Sequence, residues 1–457
     1  MKQEKNSKLR FYFLYFLGVI PFCILFIYGL YLLKVFHRFG FLTSDQVITS
    51  KNFSAILLVS FLVLFSIIHL FYLSLNKVNF YFRKDGIVLI LVVSVLLPFI
   101  WRGPFFQPPS DPIFHAQVMW DFIGANHFDH ENRSVIGKSI FAALHLLYQP
   151  ETWGEKLNIL WTFHLITSIL LILSAYFSGR LFGLNAKWAG FSTLFFAISF
   201  GTSYFSYLNY YSLAPTSINL SFYWLLSGLL FRTILIDKKN NKLFFFETLY
   251  YFGLIIFIAP ILFYNHKQEV GFLFFILELG AMVFLVRLPN RNFFNLKNKF
   301  ILISLFLFFP FTWISNFIPQ LGIVNSKQLG IFQNHITSYS TIWYFGRING
   351  PRVFETLAVY GYIPVLFLFT YLVYIFFLAK KKFHLNSFFV LALIPGLIPF
   401  WIILMPTNLL IWLKGIDQST DVFWRFCYTG QYWITISFIL HQLEHPITKK
   451  IKARLIR

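Results

Sequence analysis

The chain has 457 residues, 58% of them hydrophobic and 12% charged, with a mean hydropathy of +0.67 and a formal net charge of +21. Soluble domains carry roughly a quarter charged residues, so this balance excludes a set of soluble domains and requires an integral membrane protein. Its apolar stretches run on for about 20 residues instead of alternating with polar ones as barrel strands do, which makes the fold all-α and polytopic.

Twelve spans are predicted, at 11–34, 53–75, 86–101, 157–179, 188–207, 215–231, 248–264, 270–286, 300–316, 361–379, 387–404 and 431–443. The first follows a charged head, "MKQEKNSKLR", and its long apolar core with no small-residue cleavage site behind it reads as an uncleaved signal anchor. With that head cytoplasmic, the inside segments 1–10, 76–85, 180–187, 232–247, 287–299, 380–386 and 444–457 hold 25 of the 38 Lys and Arg but only five of the 17 acids. The positive charge is therefore a topology signal, placing both termini in the cytoplasm. It is not a nucleic-acid footprint, because the basic runs "KKNNK" and "AKKKFH" are short joints between spans. Cys23 and Cys427 offer neither a disulfide framework nor a Cys-based metal site. Sequons occur at Asn52, Asn132 and Asn219, the last inside a predicted span.

This topology leaves three large outside segments, 102–156, 317–360 and 405–430. In the first, "RGPFFQPPSDP" cannot be helical across its prolines. A helix lying on the membrane surface is predicted to follow, with Ser110 as N-cap and Pro112 at its first position. Asp111 then stands at the lipid–water boundary, and His115 lies one turn on along the same face. Asp111 is a candidate catalytic residue, with a plain helix cap as the bland alternative; for His115 that alternative is an interfacial polar side chain. In "NHFDHEN", His127, Asp129, His130 and Glu131 are metal-ligand types, yet adjacent residues seldom face one ion. His266, Lys267 and Glu269 crowd into a short outside turn in "FYNHKQEVGF", either as part of a site or as helix-end anchors. Glu278 falls in mid-span, where a carboxylate is functional by default, with a protonated or hydrogen-bonded packing role as the alternative.

An apolar span, then an outside loop with an acid just past the membrane, interfacial helices and many further spans: this resembles the GT-C class of polytopic glycosyltransferases. The match rests on the topology of 86–300 and the motif "SDPIFH". Two spans before that loop, in residues 1–85, depart from the pattern, as does a single acid in place of a pair; Asp45 in "LTSDQ" is a rival. The resemblance implies one polytopic membrane unit, with 86–316 as a GT-C-like core and 317–457 as C-terminal spans. It implies transfer of a sugar from a polyprenyl-phosphate-linked donor to a glycan, lipid or protein acceptor at the outer face of a cell membrane, such as a bacterial inner membrane. Asp111 would be the base or a metal ligand; no cofactor is fixed, and a divalent ion stays an open alternative.

Such a transfer needs a carboxylate to take the acceptor proton and cations to steady the departing phosphate. The outside cations are Arg102, Arg133, Lys138, Lys267, Lys327, Arg347, Arg352, Lys414 and Arg425. The planar Arg fork suits phosphate, singling out Arg347 and Arg352 in "YFGRINGPRVFE" and Arg425 in "DVFWRFCY"; His266, Lys267 and Glu269 complete the expected substrate-binding set. Asp417 and Asp421 read as solvated. Two other classes compete: an O-antigen-type polysaccharide polymerase or ligase, which would rely on the late loop 317–360, and a twelve-span secondary transporter, which would show matching halves and ionisable groups at mid-depth.

Overall fold

A computed structural model describes residues 2–32, 53–102, 135–198, 216–236 and 241–287, together with 394, 431, 433–442 and 444. The regular elements among them are helical. In chain order they are α1 (Lys2–Leu32), α2 (Phe53–Val78), a π-helical turn (Phe82–Gly86), α3 (Ile87–Arg102), α4 (Val135–Tyr148), α5 (Trp153–Leu181), α6 (Ala186–Ile198), α7 (Thr216–Leu235), α8 (Asn241–Asn265) and α9 (Lys267–Arg287). Residues 433–442 are also helical. Eight of these helices coincide wholly or partly with the first eight predicted spans. Four, within α2, α5, α7 and α8, are long and apolar enough to cross a membrane. The chain is thus a helical membrane protein. Predicted spans 300–316 and 361–379 lie outside the described residues, as does 387–404 apart from Ile394.

Helix α4 was not among the predicted spans. It lies inside the segment expected as an outside loop, and its buried residues Ile136, Lys138, Ser139, Phe141 and Ala142 pack it against α2, α5 and α8. Lys138, one of the cations expected on the outer side, is 2% exposed.

Local sequence explains where the helices begin and end. At the start of α5, Thr152 Oγ1 accepts from the Glu155 N–H, while Glu155 Oε2 accepts from the N–H groups of Thr152 and Glu151 at 2.9 and 2.8 Å, a capping box. Gly183, at φ 98°, ends the same helix. There the N–H groups of Gly183 and Leu184 bond back to the carbonyls of Arg180 and Gly179, which is a Schellman closure. Two residues later Asn185 Oδ1 accepts from the Trp188 N–H at 3.0 Å and caps α6. The chain therefore turns sharply from α5 into α6. Pro21, Pro98 and Pro260 lie within helices, as membrane helices tolerate when neighbours re-satisfy the freed carbonyls.

Contacts between helix ends sort the bundle into two faces. On one, Lys77 at the end of α2 meets Glu247 near the start of α8 at 2.7 Å, and Asp85 before α3 meets Arg180 at the end of α5 at 2.8 Å. Arg232 near the end of α7 donates to the carbonyls of Arg180 and Leu181. All these residues come from segments that the charge count grouped together, and we call this the basic face. On the opposite face, His164 on α5 bonds the Ile100 carbonyl of α3 at 3.0 Å, and Trp101 lies beside Trp161, as aromatic residues do at a membrane boundary.

Between the faces runs α7, of whose apolar window 94% is buried. It packs against α2, α5, α8 and α9, which places it in the core of the described bundle. Asp85, 1% exposed at its side chain, is satisfied by the Tyr176 hydroxyl at 2.7 Å and the Tyr81 N–H at 3.1 Å as well as by Arg180. Breaking such a pair by removing one partner typically costs about 3–5 kcal/mol. The last helical segment is tied to α6 by Glu444, which accepts from Lys187 Nζ at 2.7 Å and Trp188 Nε1 at 2.8 Å.

Two predictions follow from this packing. A Cβ at Gly29 would stand 2.6 Å from the backbone nitrogen of Ile261, whereas one at Gly253 would meet nothing within 4 Å. Gly29→Ala should therefore destabilise the α1–α8 contact by about 1–3 kcal/mol, and Gly253→Ala should leave thermal melting in detergent unchanged or raised; equal melting of the two variants would refute the close approach. The second concerns Glu444. Hydrogen bonds from Lys187 and then Trp188 hold its carboxyl below the ordinary value of 4.5, so its contribution is present above the unfolded value and fades as pH falls through the lowered folded one. Glu444→Gln should melt slightly below wild type at pH 7, with the gap closing in acid. A gap that widens in acid would reverse the sign.

Candidate functional site

The opposite face carries a buried polar network where α8 turns into α9. A single residue, His266, separates these helices, so the last carbonyls of α8 and the first N–H groups of α9 crowd together. Helix ends leave such groups without partners in their own helix. Asn219, in the first turns of α7 and fully buried, meets that need. Its Nδ2 donates to the carbonyls of His266 and Leu262 at 2.9 and 3.1 Å and lies 3.4 Å from Glu269 Oε2. Its Oδ1 accepts from Asn265 Nδ2 at 2.8 Å, and Asn265 Oδ1 accepts from the Ile136 N–H at 3.0 Å. The first turn of α4 is thereby fastened to the α8–α9 turn.

Glu269 is the acid of this network. Its side chain is 1% exposed, and it lies 2.5 Å from His266 Nδ1. Placement in the first turn of α9 sets the carboxylate against the positive end of the helix dipole. His266 is more open, at 18%. With Nδ1 held by a carboxylate, an imidazole keeps its ring orientation, as in the carboxylate–histidine pairs that position a histidine for a substrate or a metal.

Of the predicted site residues, the structure brings His266 and Glu269 together. Lys267 opens α9, and its side chain is outside the described residues, as is that of Glu278 in the middle of the same helix. Asp111, His115, Arg347, Arg352 and Arg425 lie outside the described residues, and so do Asp45, Asp417, Asp421 and the cluster from His127 to Glu131. Among the described residues no group of three or more His, Cys, Asp and Glu could hold a metal ion. Asn219 and Asn265 were missed. The available signal is an Asn within an apolar stretch, "APTSINLSFYW", which the sequence pattern presents as a sequon; its burial and its bonds leave no room for a glycan.

Compared with family models, with curated proteins and with solved structures, the chain matches none.

Substitution at Asn219 tests the network directly. Asn219→Ala leaves the α8 carbonyls without their donor, at about 1–3 kcal/mol. Asn219→Asp also sets a second carboxylate beside Glu269 and should be worse. Melting of the purified protein should rank wild type, Ala, Asp; an Asp variant as stable as wild type would show that the side chain does not donate as described.

Proposed function

We propose that the chain is a membrane glycosyltransferase that moves a sugar from a polyprenyl-phosphate-linked donor to an acceptor on the outer face of the cytoplasmic membrane. The basic face is then cytoplasmic, with both termini, and the face carrying His266 and Glu269 is the outer one.

One observation carries this reading. Segment 103–134, which contains Asp111 and His115, joins the end of α3 to the start of α4 in the chain. The first turn of α4 is bonded through Asn265 and Asn219 to the His266–Glu269 pair. The two helix ends that flank this segment therefore lie on the face that holds a His–Glu pair, which supports a base from the segment and the imidazole acting on one substrate.

In the proposed reaction the acceptor oxygen attacks the anomeric carbon and the bond from that carbon to the phosphate oxygen breaks. The acceptor proton passes to the Asp111 carboxylate, assisted by His115, and polyprenyl phosphate departs. Charge growing on that phosphate is met by Lys267, by the His266 ring held by Glu269, and by Arg347, Arg352 and Arg425. A divalent ion at Asp111 would add to the same task.

The test is a membrane assay with a lipid-linked sugar donor, coupled to mass spectrometry of surface glycans with and without the gene. Asp111→Asn should lower transfer by at least ~100-fold, the scale of a lost general base, at normal insertion levels. Full activity of that variant would dismiss Asp111. Full activity together with a dead Arg347→Lys would move the chemistry to the late loop and favour a polymerase or ligase. No transfer by the wild-type chain with any lipid-linked sugar, alongside movement of a solute, would favour a transporter.

A further inference from the structure

On the basic face a cleft of about 210 Å³ opens between α1, α2 and α8. We propose that it binds the phosphate of a membrane phospholipid, whose acyl chains lie along the adjoining apolar surface of α1 and α2. The inference does not depend on the proposed transferase activity, since the cleft lies on the face away from His266 and Glu269.

The polar end of the cleft is built around an ion pair. Glu247 is 4% exposed and has both oxygens engaged: Oε2 by Lys77 Nζ at 2.7 Å and Oε1 by the Tyr15 hydroxyl at 3.1 Å. Lys77, at 15%, is the more open partner. An ammonium carries three N–H donors, so one lysine can serve a buried carboxylate and an anion in the cleft together. The neighbouring Asn76 is exposed and lines the same cleft, adding an amide donor. The carboxylate sits deep and the cation at the opening, an order that suits a phosphate and disfavours a cationic headgroup.

The apolar end identifies the phosphate as that of a lipid. Leu14 and Tyr72 line the cleft and are 40% and 41% exposed. Along α1 the exposed stripe continues through Leu17 and Ile20, and along α2 through Ile68 and Phe65, at spacings that keep each set on one helix side. The two helices are antiparallel, so the stripes run side by side from the cleft toward the opposite face. Lys77 lies in the last turn of α2, at the edge of its apolar window. A headgroup at that boundary with chains pointing inward has the geometry of a bilayer lipid, and the excess of basic residues on this face draws anionic headgroups to it.

The experiment uses the full chain, delipidated in detergent, with native mass spectrometry to count bound molecules. The probes are phosphatidylglycerol, a diacylglycerol with the same chains, and glycerol phosphate. Phosphatidylglycerol should be retained roughly tenfold more tightly than diacylglycerol, the scale of a charge-assisted hydrogen bond, and glycerol phosphate should not be retained. Leu14→Trp, which fills the cleft and leaves the Lys77–Glu247 pair in place, and Asn76→Leu should each weaken phosphatidylglycerol by about the same factor. Equal retention of phosphatidylglycerol and diacylglycerol by the wild-type chain overturns the proposal, and this comparison needs no variant. Undiminished phosphatidylglycerol in both variants also overturns it. Retention of glycerol phosphate as tight as that of the lipid would make the cleft a site for a free anion and overturn the lipid assignment.

Discussion

The enclosure of α7 is the constraint on which the rest of the described bundle depends. A helix surrounded by other helices has no lipid or water to take up its polar groups, and an unsatisfied amide or hydroxyl in that setting costs several kcal/mol. Several polar side chains of α7 are answered within the helix or by a neighbour, while the Tyr223 hydroxyl and Thr233 Oγ1 are buried without a hydrogen-bond partner among the described residues. Ser221 and Ser227 bond back to carbonyls of their own helix, and the Trp224 carbonyl accepts from Ser178 on α5. At the ends local bonding does not suffice. Arg232 reaches the last carbonyls of α5, and Asn219 reaches those of α8. In each case one side chain of the central helix closes the terminus of another, which fixes the heights of α5, α7 and α8 against one another and so fixes both faces.

The positions of these helices could be read from the chain because their signal is length. A stretch of about 20 apolar residues has few other fates, and the predicted spans from 53–75 to 270–286 fall on observed helices. The gathering of Lys77, Asp85, Arg180, Arg232 and Glu247 was also legible, since charge excluded from lipid collects at the ends of spans and the count of basic residues sorted those ends correctly. Helix α4 was not legible. Its 14 residues are too few to announce a span, and "VIGKSIFAALHLLY" mixes a lysine, a serine and a histidine into an apolar pattern; the surface it buries is defined by α2, α5 and α8.

Partners were hidden for a different reason. His266 and Glu269 stand three apart in sequence, so their meeting is a local event that a reader of "HKQE" can anticipate. Asn219 and Asn265 are 46 residues apart, and Asp85 and Tyr176 are 91 apart. Nothing in either residue's surroundings names the other. Their pairing is decided by which helices become neighbours, and composition carries that information only weakly. Of the residues expected to perform chemistry, Asp111 and the three arginines lie outside the described residues; what the sequence made legible among the described ones is the His266–Glu269 pair at the α8–α9 turn.

The two buried glutamates show how each face is tied together. Glu247 and Glu269 both sit near the start of a helix and both are almost wholly enclosed. A carboxylate in such a place must have its oxygens met by donors from its surroundings. Glu247 finds them on two other helices, Lys77 of α2 and Tyr15 of α1, so one side chain of α8 fastens three helices at the basic face. Glu269 finds them closer by, in His266 of the preceding turn and in the Asn219 amide of α7. That network continues through Asn265 to the Ile136 N–H in the first turn of α4. The basic face is therefore held by an ion pair between helices that are distant in sequence, and the opposite face by a turn whose carboxylate and amides join α4, α7, α8 and α9.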